Sequence, residues 1–204
     1  MTTVLVSGAS GIVGYGILKS LRRGDTDLTL VGTTIYDDSV APGFCDILKI
    51  APPTNDPLYI HWLKNVIKDL HVDIMIPGIE LDLYTWASHR DELEKEGCKL
   101  VLNDLHLISL SKDKWLFYES LQEKNFSCTI KSSLSNDFNL LEALFGLPFI
   151  LKPRQGFGSK GIVLVDSKPT FDQHSAFIGD TLLAQEYVGD DDNEFTVAIF
   201  GDGV

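Results

Sequence analysis

Short apolar segments alternate with amphipathic helical segments along the first half of the chain, and this alternation constrains the fold more than any other feature. Residues 59–70 carry apolar side chains at helical spacing, and residues 2–6 are rich in β-branched side chains. Strand–helix alternation predicts right-handed crossovers and a doubly wound parallel sheet. The predicted strands are 2–6, 28–36, 47–50, 72–77 and 99–102, and the predicted helices lie around 13–21, 59–70 and 82–96.

The pattern changes near Leu105, where a helical stretch replaces the alternation. The second half is predicted to be α+β, with an antiparallel strand pair, 149–152 and 162–165, around a glycine-rich loop. Its other predicted elements are helices at 106–124, 140–145 and 170–178, and strands at 129–131, 182–188 and 195–200. We therefore predict two domains, 1–104 and 105–204.

Composition and charge exclude several classes of protein. Apolar residues make up 44% of the 204 residues and charged residues 23%, which is typical of globular proteins. A net charge of −12 argues against nucleic acid as a partner. The apolar runs are too short to span a bilayer, and the N-terminus lacks a signal sequence, so we predict a cytoplasmic protein without a membrane partner.

Metal-ligating patterns are also missing from the sequence. Cys45, Cys98 and Cys128 are widely spaced, which favours reduced structural thiols. The acidic run Asp190–Asp192 is typical of a turn between strands. No metal ligand is predicted within the chain.

The first glycine-rich loop, Gly8–Gly14, follows a strand and precedes a helix. It resembles the loop of extended short-chain dehydrogenases, in which glycines let the backbone approach a phosphate. The expected ribose-binding acid is missing: Thr33 and Thr34 follow Gly32 there, and Asp37 comes late. The Tyr-x-x-x-Lys pair of such reductases occurs as Tyr15 and Lys19, inside the first predicted helix.

We interpret the loop as a tight turn that can contact an anion or a substrate. Its candidate substrate-binding residues are Gly8, Ser10 and Gly11. An NAD(P)-dependent reductase or epimerase of the short-chain type remains the alternative function.

The second glycine-rich loop lies between two predicted strands, at 149–162. Lys152 and Lys160 supply cations for a polyphosphate, and Arg154 adds a bidentate donor. The loop itself offers backbone N–H groups and little side-chain bulk. It is not a Walker loop, because it lacks the Gly-Lys-Ser/Thr ending and a strand follows it. Its candidate phosphate-binding residues are Gly156, Gly158, Ser159, Lys160 and Gly161.

This strand–lysine–loop–strand pattern resembles the phosphate-covering hairpin of the ATP-grasp superfamily. Three further segments resemble ATP-grasp signatures in the same order: Ser111–Trp115, Leu183–Val188 and Glu194–Val197. The resemblance implies that Lys114 contacts nucleotide phosphate and that Glu194 holds the ribose hydroxyls. It also implies that adenine is bound by Glu186, Tyr187 and Val188.

The first half resembles the domain that precedes ATP-grasp in carbamoyl-phosphate synthase, on the segment Asp73–Asp82. The resemblance thus implies a Rossmann-like parallel-sheet pre-ATP-grasp domain at 1–104, followed by an α+β partial ATP-grasp domain at 105–204. Glu80 and Asp82 follow a parallel strand, where open α/β sheets bind ligands. They are candidates for substrate contact or for helix capping.

The implied function is an ATP-dependent carboxylate–amine or carbamoyl-phosphate-synthase-like ligase that acts through an acyl phosphate. Its partners would be ATP and a small carboxylate. The family's Mg²⁺ ligands are expected beyond residue 204, and the catalytic residues are not identified.

The ending Gly201–Val204 is typical of a turn into another strand, so we expect a truncated, inactive chain that forms a homodimer through its cut edge. A non-catalytic nucleotide-binding fragment is a further alternative. The loop 156–161 is expected to be poorly ordered without nucleotide.

Overall fold

The computed structural model describes residues 1–24, 27–156, 158–189, 195 and 197. The chain forms two compact units, Met1–Ile108 and Ser109–Val204, which we call the first and second units. The domain boundary predicted after residue 104 lies four residues before this division. Within the described residues, no helix is both long enough and apolar enough to cross a membrane.

A five-stranded parallel sheet in the order β3-β2-β1-β4-β5 forms the centre of the first unit. Its strands are β1 Thr2–Val6, β2 Leu28–Thr34, β3 Ile47–Ile50, β4 Ile74–Ile76 and β5 Lys99–Leu100. The helices are α1 Ile12–Gly24, α2 Tyr59–Leu70, α3 Glu80–Ser88 and α4 Arg90–Glu94, with a 3₁₀ turn at Ala41–Gly43. Helix α5, Leu105–Lys112, crosses the boundary between the units. The strand order reverses between β1 and β4, which is where open α/β sheets place a ligand crevice.

Apolar side chains of β1 point alternately to the two faces of this sheet. Leu5 is fully buried on one face with Met75 and Trp86. Val4 and Val6 pack on the other face with Leu18 of α1. Burial of each large aliphatic side chain contributes about 1.5–3 kcal/mol. The sheet is thus covered on both faces, as the sequence predicted.

The loop between β1 and α1 packs against the end of β4 with almost no free space. A Cβ atom on Gly14 would lie 2.3 Å from the carbonyl oxygen of Gly8. A Cβ atom on Gly78 would lie 2.1 Å from the carbonyl oxygen of Ser7. The Gly78 N–H also donates to Ser7 Oγ at 3.2 Å. The glycines are therefore required for close backbone packing at the ligand-binding edge of the sheet.

The second unit contains a four-stranded antiparallel sheet in the order β6-β9-β7-β8. Its strands are β6 Ser132–Ser133, β7 Phe149–Pro153, β8 Val163–Val165 and β9 Leu182–Glu186. Its helices are α6 Lys114–Glu123, α7 Phe138–Phe145 and α8 Lys168–Asp172, with a 3₁₀ turn at Ser175–Phe177. The core contains three packed aromatic rings, and the ring centroids of Phe138 and Phe171 are 5.5 Å apart. The predicted α/β fold followed by a smaller α+β unit is confirmed.

Two predicted helices are each broken in the structure. The stretch 106–124 is divided at Asp113, whose carboxylate accepts the N–H groups of Trp115 and Leu116 and so begins a new helix. The stretch 82–96 is divided at His89, where ring Nδ1 and the Ser88 hydroxyl approach backbone carbonyls of the preceding turn. Such side-chain bonds compete with the helix ladder.

Other differences are smaller. The strand predicted at 129–131 lies at Ser132–Ser133, where it pairs with β9. The helix predicted at 170–178 is α8 plus the 3₁₀ turn. The strand predicted at 195–200 lies outside the described residues except for Phe195 and Val197.

Substitution of Gly14 tests the close packing of the first loop. We expect Gly14→Ala to lower the free energy of unfolding by about 1–3 kcal/mol, because the new methyl group meets backbone atoms that cannot move aside. The matched control is Gly16→Ala in the same helix, where a Cβ meets nothing within 4 Å. That change should stabilise by about 0.5–1 kcal/mol. Urea unfolding of both variants measures the difference, and equal effects would contradict the packing argument.

Candidate functional site

A cavity of about 740 Å³ lies in the second unit, bordered by β7, β9 and the glycine-rich loop; we call it the second-unit cavity. Nine of the twelve predicted nucleotide-binding residues line it: Lys114, Lys152, Gly156, Gly158, Ser159, Lys160, Glu186, Tyr187 and Val188. Arg154 and Gly161 do not line it, and Glu194 lies outside the described residues. The structure therefore brings together segments that are separated by up to about seventy residues in sequence.

Successive side chains of β7 point to opposite faces of the sheet, which places Lys152 on the side of the cavity. Phe149 and Leu151 are fully buried in the core, so Ile150 and Lys152 occupy the opposite face and line the cavity. Pairing of β7 with β9 sets Gln185 opposite Ile150. Lys152 is held on this face by its strand and not by a flexible loop.

A short chain of side-chain hydrogen bonds fixes the Lys152 ammonium group. Lys152 Nζ donates to Gln185 Oε1 at 2.6 Å, and Gln185 Nε2 donates to Ser132 Oγ at 2.8 Å. The ammonium can donate further hydrogen bonds, since it has three N–H groups. Sequence reasoning missed Gln185, although its position opposite Ile150 follows once the strand register is known.

The electrostatics of the cavity favour an anion. Its described lining includes three lysines, Lys114, Lys152 and Lys160, but one carboxylate, Glu186. Glu186 Oε1 is 3.8 Å from the Lys131 ammonium nitrogen. Burial lowers the pKa of Lys152, and the charge of Lys114 lowers it further. A cationic pocket in a chain of net charge −12 is a local feature that needs an anionic partner.

Lys114 connects the start of α6 to the glycine-rich loop. Its backbone N–H donates to the Arg154 carbonyl at 2.9 Å, and its Nζ donates to the Gly156 carbonyl at 3.0 Å. Gly156 has φ of +125°, which side chains rarely allow. The lysine therefore lies at the base of the loop, with its charge on the cavity side.

The Arg154 guanidinium forms hydrogen bonds with other groups of the protein. Its Nε and Nη2 atoms donate to the two carboxylate oxygens of Asp113 at 3.2 and 2.8 Å, and Nη1 donates to the Gly179 carbonyl at 2.8 Å. Burial raises the pKa of Asp113, but Arg154 and two backbone N–H groups outweigh it, so the pKa lies below its usual range. The guanidinium thus links Asp113 to the Gly179 carbonyl, and the expected phosphate contact of Arg154 stays a prediction. Its partner, Asp113, lies 41 residues away in sequence, so no local motif could predict this pairing.

Part of the cavity lining is apolar. Ile130, Ile150, Ile162 and Val188 line it, together with Tyr187. A lining that combines apolar and cationic side chains suits a ligand that has an apolar part and an anionic part.

A second cavity, of about 320 Å³, lies in the first unit; we call it the first-unit cavity. Four predicted substrate-binding residues, Gly8, Ser10, Gly11 and Asp82, line it. Asp82 is 3% exposed and accepts hydrogen bonds from the hydroxyls of Thr54 and Tyr59 at 2.7 and 2.8 Å. Sequence reasoning missed both hydroxyl donors.

Glu80 does not line the first-unit cavity. It is exposed, and its carboxylate accepts a hydrogen bond from the Tyr84 hydroxyl. Both Glu80 and Asp82 lie in the first turn of α3, where negative charge is favourable.

The described residues contain no group of three or more His, Cys, Asp or Glu side chains that could hold a metal ion. The acidic run Asp190–Asp192 lies outside them.

Comparison with known proteins places this geometry in context. No family model matches the chain. The carbamoyl phosphate synthase large chain of Thermotoga maritima is 27% identical over 157 residues, which cover 72% of this chain and 14% of that protein. The same protein of Thermotoga petrophila matches equally well.

Solved structures share the fold over almost the whole chain. N5-carboxyaminoimidazole ribonucleotide synthetase of Thermotoga maritima is 18% identical with a TM-score of 0.64, covering 94% of this chain and 47% of that one. The biotin carboxylase domain of the Hydrogenobacter thermophilus 2-oxoglutarate carboxylase is 17% identical with a TM-score of 0.67, covering 92% and 44%.

This chain spans about one seventh of the length of the curated relatives and under half of these two structures. The fold, the order of the segments and the sequence similarity agree with one another. They confirm the resemblance seen in the sequence, which is to ATP-grasp proteins of the carbamoyl-phosphate-synthase-like kind.

Proposed function

We propose that the second-unit cavity binds ATP and that the protein acts as an ATP-dependent ligase joining a carboxylate to an amine through an acyl phosphate. The observation that carries the proposal is the half-buried Lys152, which lines the same cavity as Lys114 and the glycine-rich loop of the β7–β8 hairpin. A synthetase of the same fold from Staphylococcus aureus, with a TM-score of 0.68 and 16% identity, is complexed with ADP. That ligand supports the nucleotide class.

The cationic and the apolar lining residues each suit one part of ATP. The ammonium groups of Lys114, Lys152 and Lys160 neutralise phosphate charge, and exposed loop residues such as Gly158 offer backbone N–H groups. The apolar wall from Ile130, Ile150 and Ile162 suits the adenine ring. As the resemblance implies, Glu186 is proposed to accept the adenine amino group or to orient the segment, and Tyr187 and Val188 are proposed to bind the ring through their backbone groups.

Phosphoryl transfer to a carboxylate depends mainly on positioning and charge neutralisation. The described residues supply the lysines for this purpose and no set of metal ligands. When bound, Mg²⁺ would neutralise further phosphate charge. We assign no Mg²⁺ ligand among the residues that the structure describes.

A dinucleotide in the first-unit cavity is less well supported. The described residues that line it include no lysine or arginine for a pyrophosphate. At the end of β2, Thr33, Thr34, Ile35 and Tyr36 line the cavity where the ribose-binding acid would be needed. These features favour the ligase over the reductase.

The cytoplasmic location and the homodimer remain proposals of ours. One protein of the same fold, the Hydrogenobacter biotin carboxylase domain, is described as a dimer with MgADP and bicarbonate.

Thermal unfolding separates the ligase from the reductase. We expect ATP at a hundredfold excess over its Kd to stabilise the protein by about 2.7 kcal/mol, whereas NADPH at the same concentration should not stabilise it. Differential scanning fluorimetry with each ligand measures the shift in Tm. Stabilisation by NADPH without stabilisation by ATP would reverse the assignment.

Substitution of Lys152 tests the phosphate contact. We expect Lys152→Ala to weaken ATP binding by about 1.5–3 kcal/mol, because a charge-assisted hydrogen bond is lost. The matched control is Lys168→Ala in the same unit, since Lys168 is exposed and paired with Asp172 outside the cavity. Calorimetric titration of ATP gives both Kd values. An unchanged Kd for the Lys152 variant would refute its role.

A further inference from the structure

Asp82 carries a buried carboxylate that has no cationic partner among the described residues. Its side chain is 3% exposed, and both of its hydrogen-bond donors are neutral hydroxyls, from Thr54 and Tyr59. Burial of a carboxylate without a paired charge is costly, by several kcal/mol in typical proteins. Apart from the N-terminus of α3, the described residues offer this carboxylate no positively charged partner.

The two hydroxyls leave one oxygen of Asp82 available. Both donate to Oδ1, and no described residue donates to Oδ2. Every fully enclosed side-chain polar atom among the described residues has a hydrogen-bond partner, so Oδ2 is not enclosed. Because Asp82 lines the first-unit cavity and is otherwise buried, Oδ2 faces that cavity.

Tyr59 holds the carboxylate in a fixed orientation. The Trp86 indole N–H donates to the Tyr59 oxygen at 3.1 Å, and the Tyr59 hydroxyl therefore directs its single hydrogen at Asp82 Oδ1. Burial and the nearby Asp82 charge raise the pKa of Tyr59, so the phenol keeps that hydrogen. Trp86 donates to Tyr59, and Tyr59 donates to Asp82 Oδ1, so Oδ2 can act only as a hydrogen-bond acceptor.

The rest of the first-unit cavity is mainly apolar. Ile35, Ala51, Pro52, Ile79 and Leu81 form much of its wall. No lysine or arginine is present among the described lining residues to neutralise Asp82. The chemistry complementary to this wall is a compact apolar body that carries one cationic N–H donor.

We propose that the first-unit cavity binds a small primary amine, with its ammonium on Asp82 Oδ2 and its alkyl part against the apolar wall. The binding of the amine does not rest on the proposed function, whereas its use as the nucleophile of the ligase does. For that use, the ammonium would first have to give a proton to an acceptor such as Asp82 Oδ2. The described residues that line this cavity do not include any that line the second-unit cavity, whose lining is cationic.

Ligand-observed NMR on the 204-residue protein tests the proposal with three probes of equal carbon skeleton: isobutylamine, isobutanol and isobutyrate. We expect a saturable saturation-transfer signal for isobutylamine. The apparent affinity of isobutanol and of isobutyrate should be at least about tenfold weaker. A signal from isobutyrate equal to that from isobutylamine would overturn the proposal. So would the absence of a signal from isobutylamine up to 50 mM, which is an excess of about a thousandfold over a Kd of 50 µM.

Variants locate the signal within the molecule. Asp82→Asn keeps an acceptor for Thr54 and Tyr59 but removes the charge, and should weaken isobutylamine binding by at least about tenfold. The matched control, Glu80→Gln, removes a charge from the same turn outside the cavity and should leave binding unchanged. Far-UV circular dichroism and Tm confirm that each variant is folded.

Ala51→Leu gives an independent test if Asp82→Asn fails to fold, because it fills the cavity and leaves the carboxylate in place. It should also abolish the isobutylamine signal. Unchanged binding by a folded Asp82 or Ala51 variant would refute the site. ATP titrations run in parallel keep the two proposals apart: loss of ATP binding in Lys152→Ala should leave the amine signal intact.

Discussion

The carboxylate of Asp113 is the group on which the second-unit cavity depends. It caps α6 through two backbone N–H groups and binds the Arg154 guanidinium through both oxygens, with the side chains 7% and 20% exposed. These bonds join the start of one helix to the end of β7. Removal of one partner from such a buried pair typically costs about 3–5 kcal/mol. The position of Lys114 at the base of the loop follows from this junction, because Lys114 is the next residue along the helix.

Elements with a strong period were predicted from the sequence with little error. The bounds of β1, β3 and α2 agree with the structure, because their apolar spacing decides both the element and the buried face. The breaks at Asp113 and His89 could not be predicted in the same way, because each depends on side-chain bonds to the backbone that interrupt an otherwise continuous helical pattern.

Candidate site residues were predictable where a local motif carried them. The glycine-rich segment after Lys152 pointed to a cluster that the structure assembles around one cavity. Gln185 was missed because its contact with Lys152 depends on strand register, and Asp82 could not be separated from Glu80 because two acids in one helical turn look alike in sequence. In the helix they point in different directions, one into a cavity and the other to solvent.

The depressed pKa of Lys152 has a consequence for proton balance. A bound anion would oppose the effects of burial and of Lys114, and would return the pKa of Lys152 towards its ordinary value. Between these two pKa values, complex formation takes up a proton from the buffer, so affinity declines as pH rises through that interval. The heat of association would then depend on the ionisation enthalpy of the buffer in alkaline solution. If Lys152 binds phosphate as proposed, the buffer dependence of the binding heat would detect that contact by calorimetry.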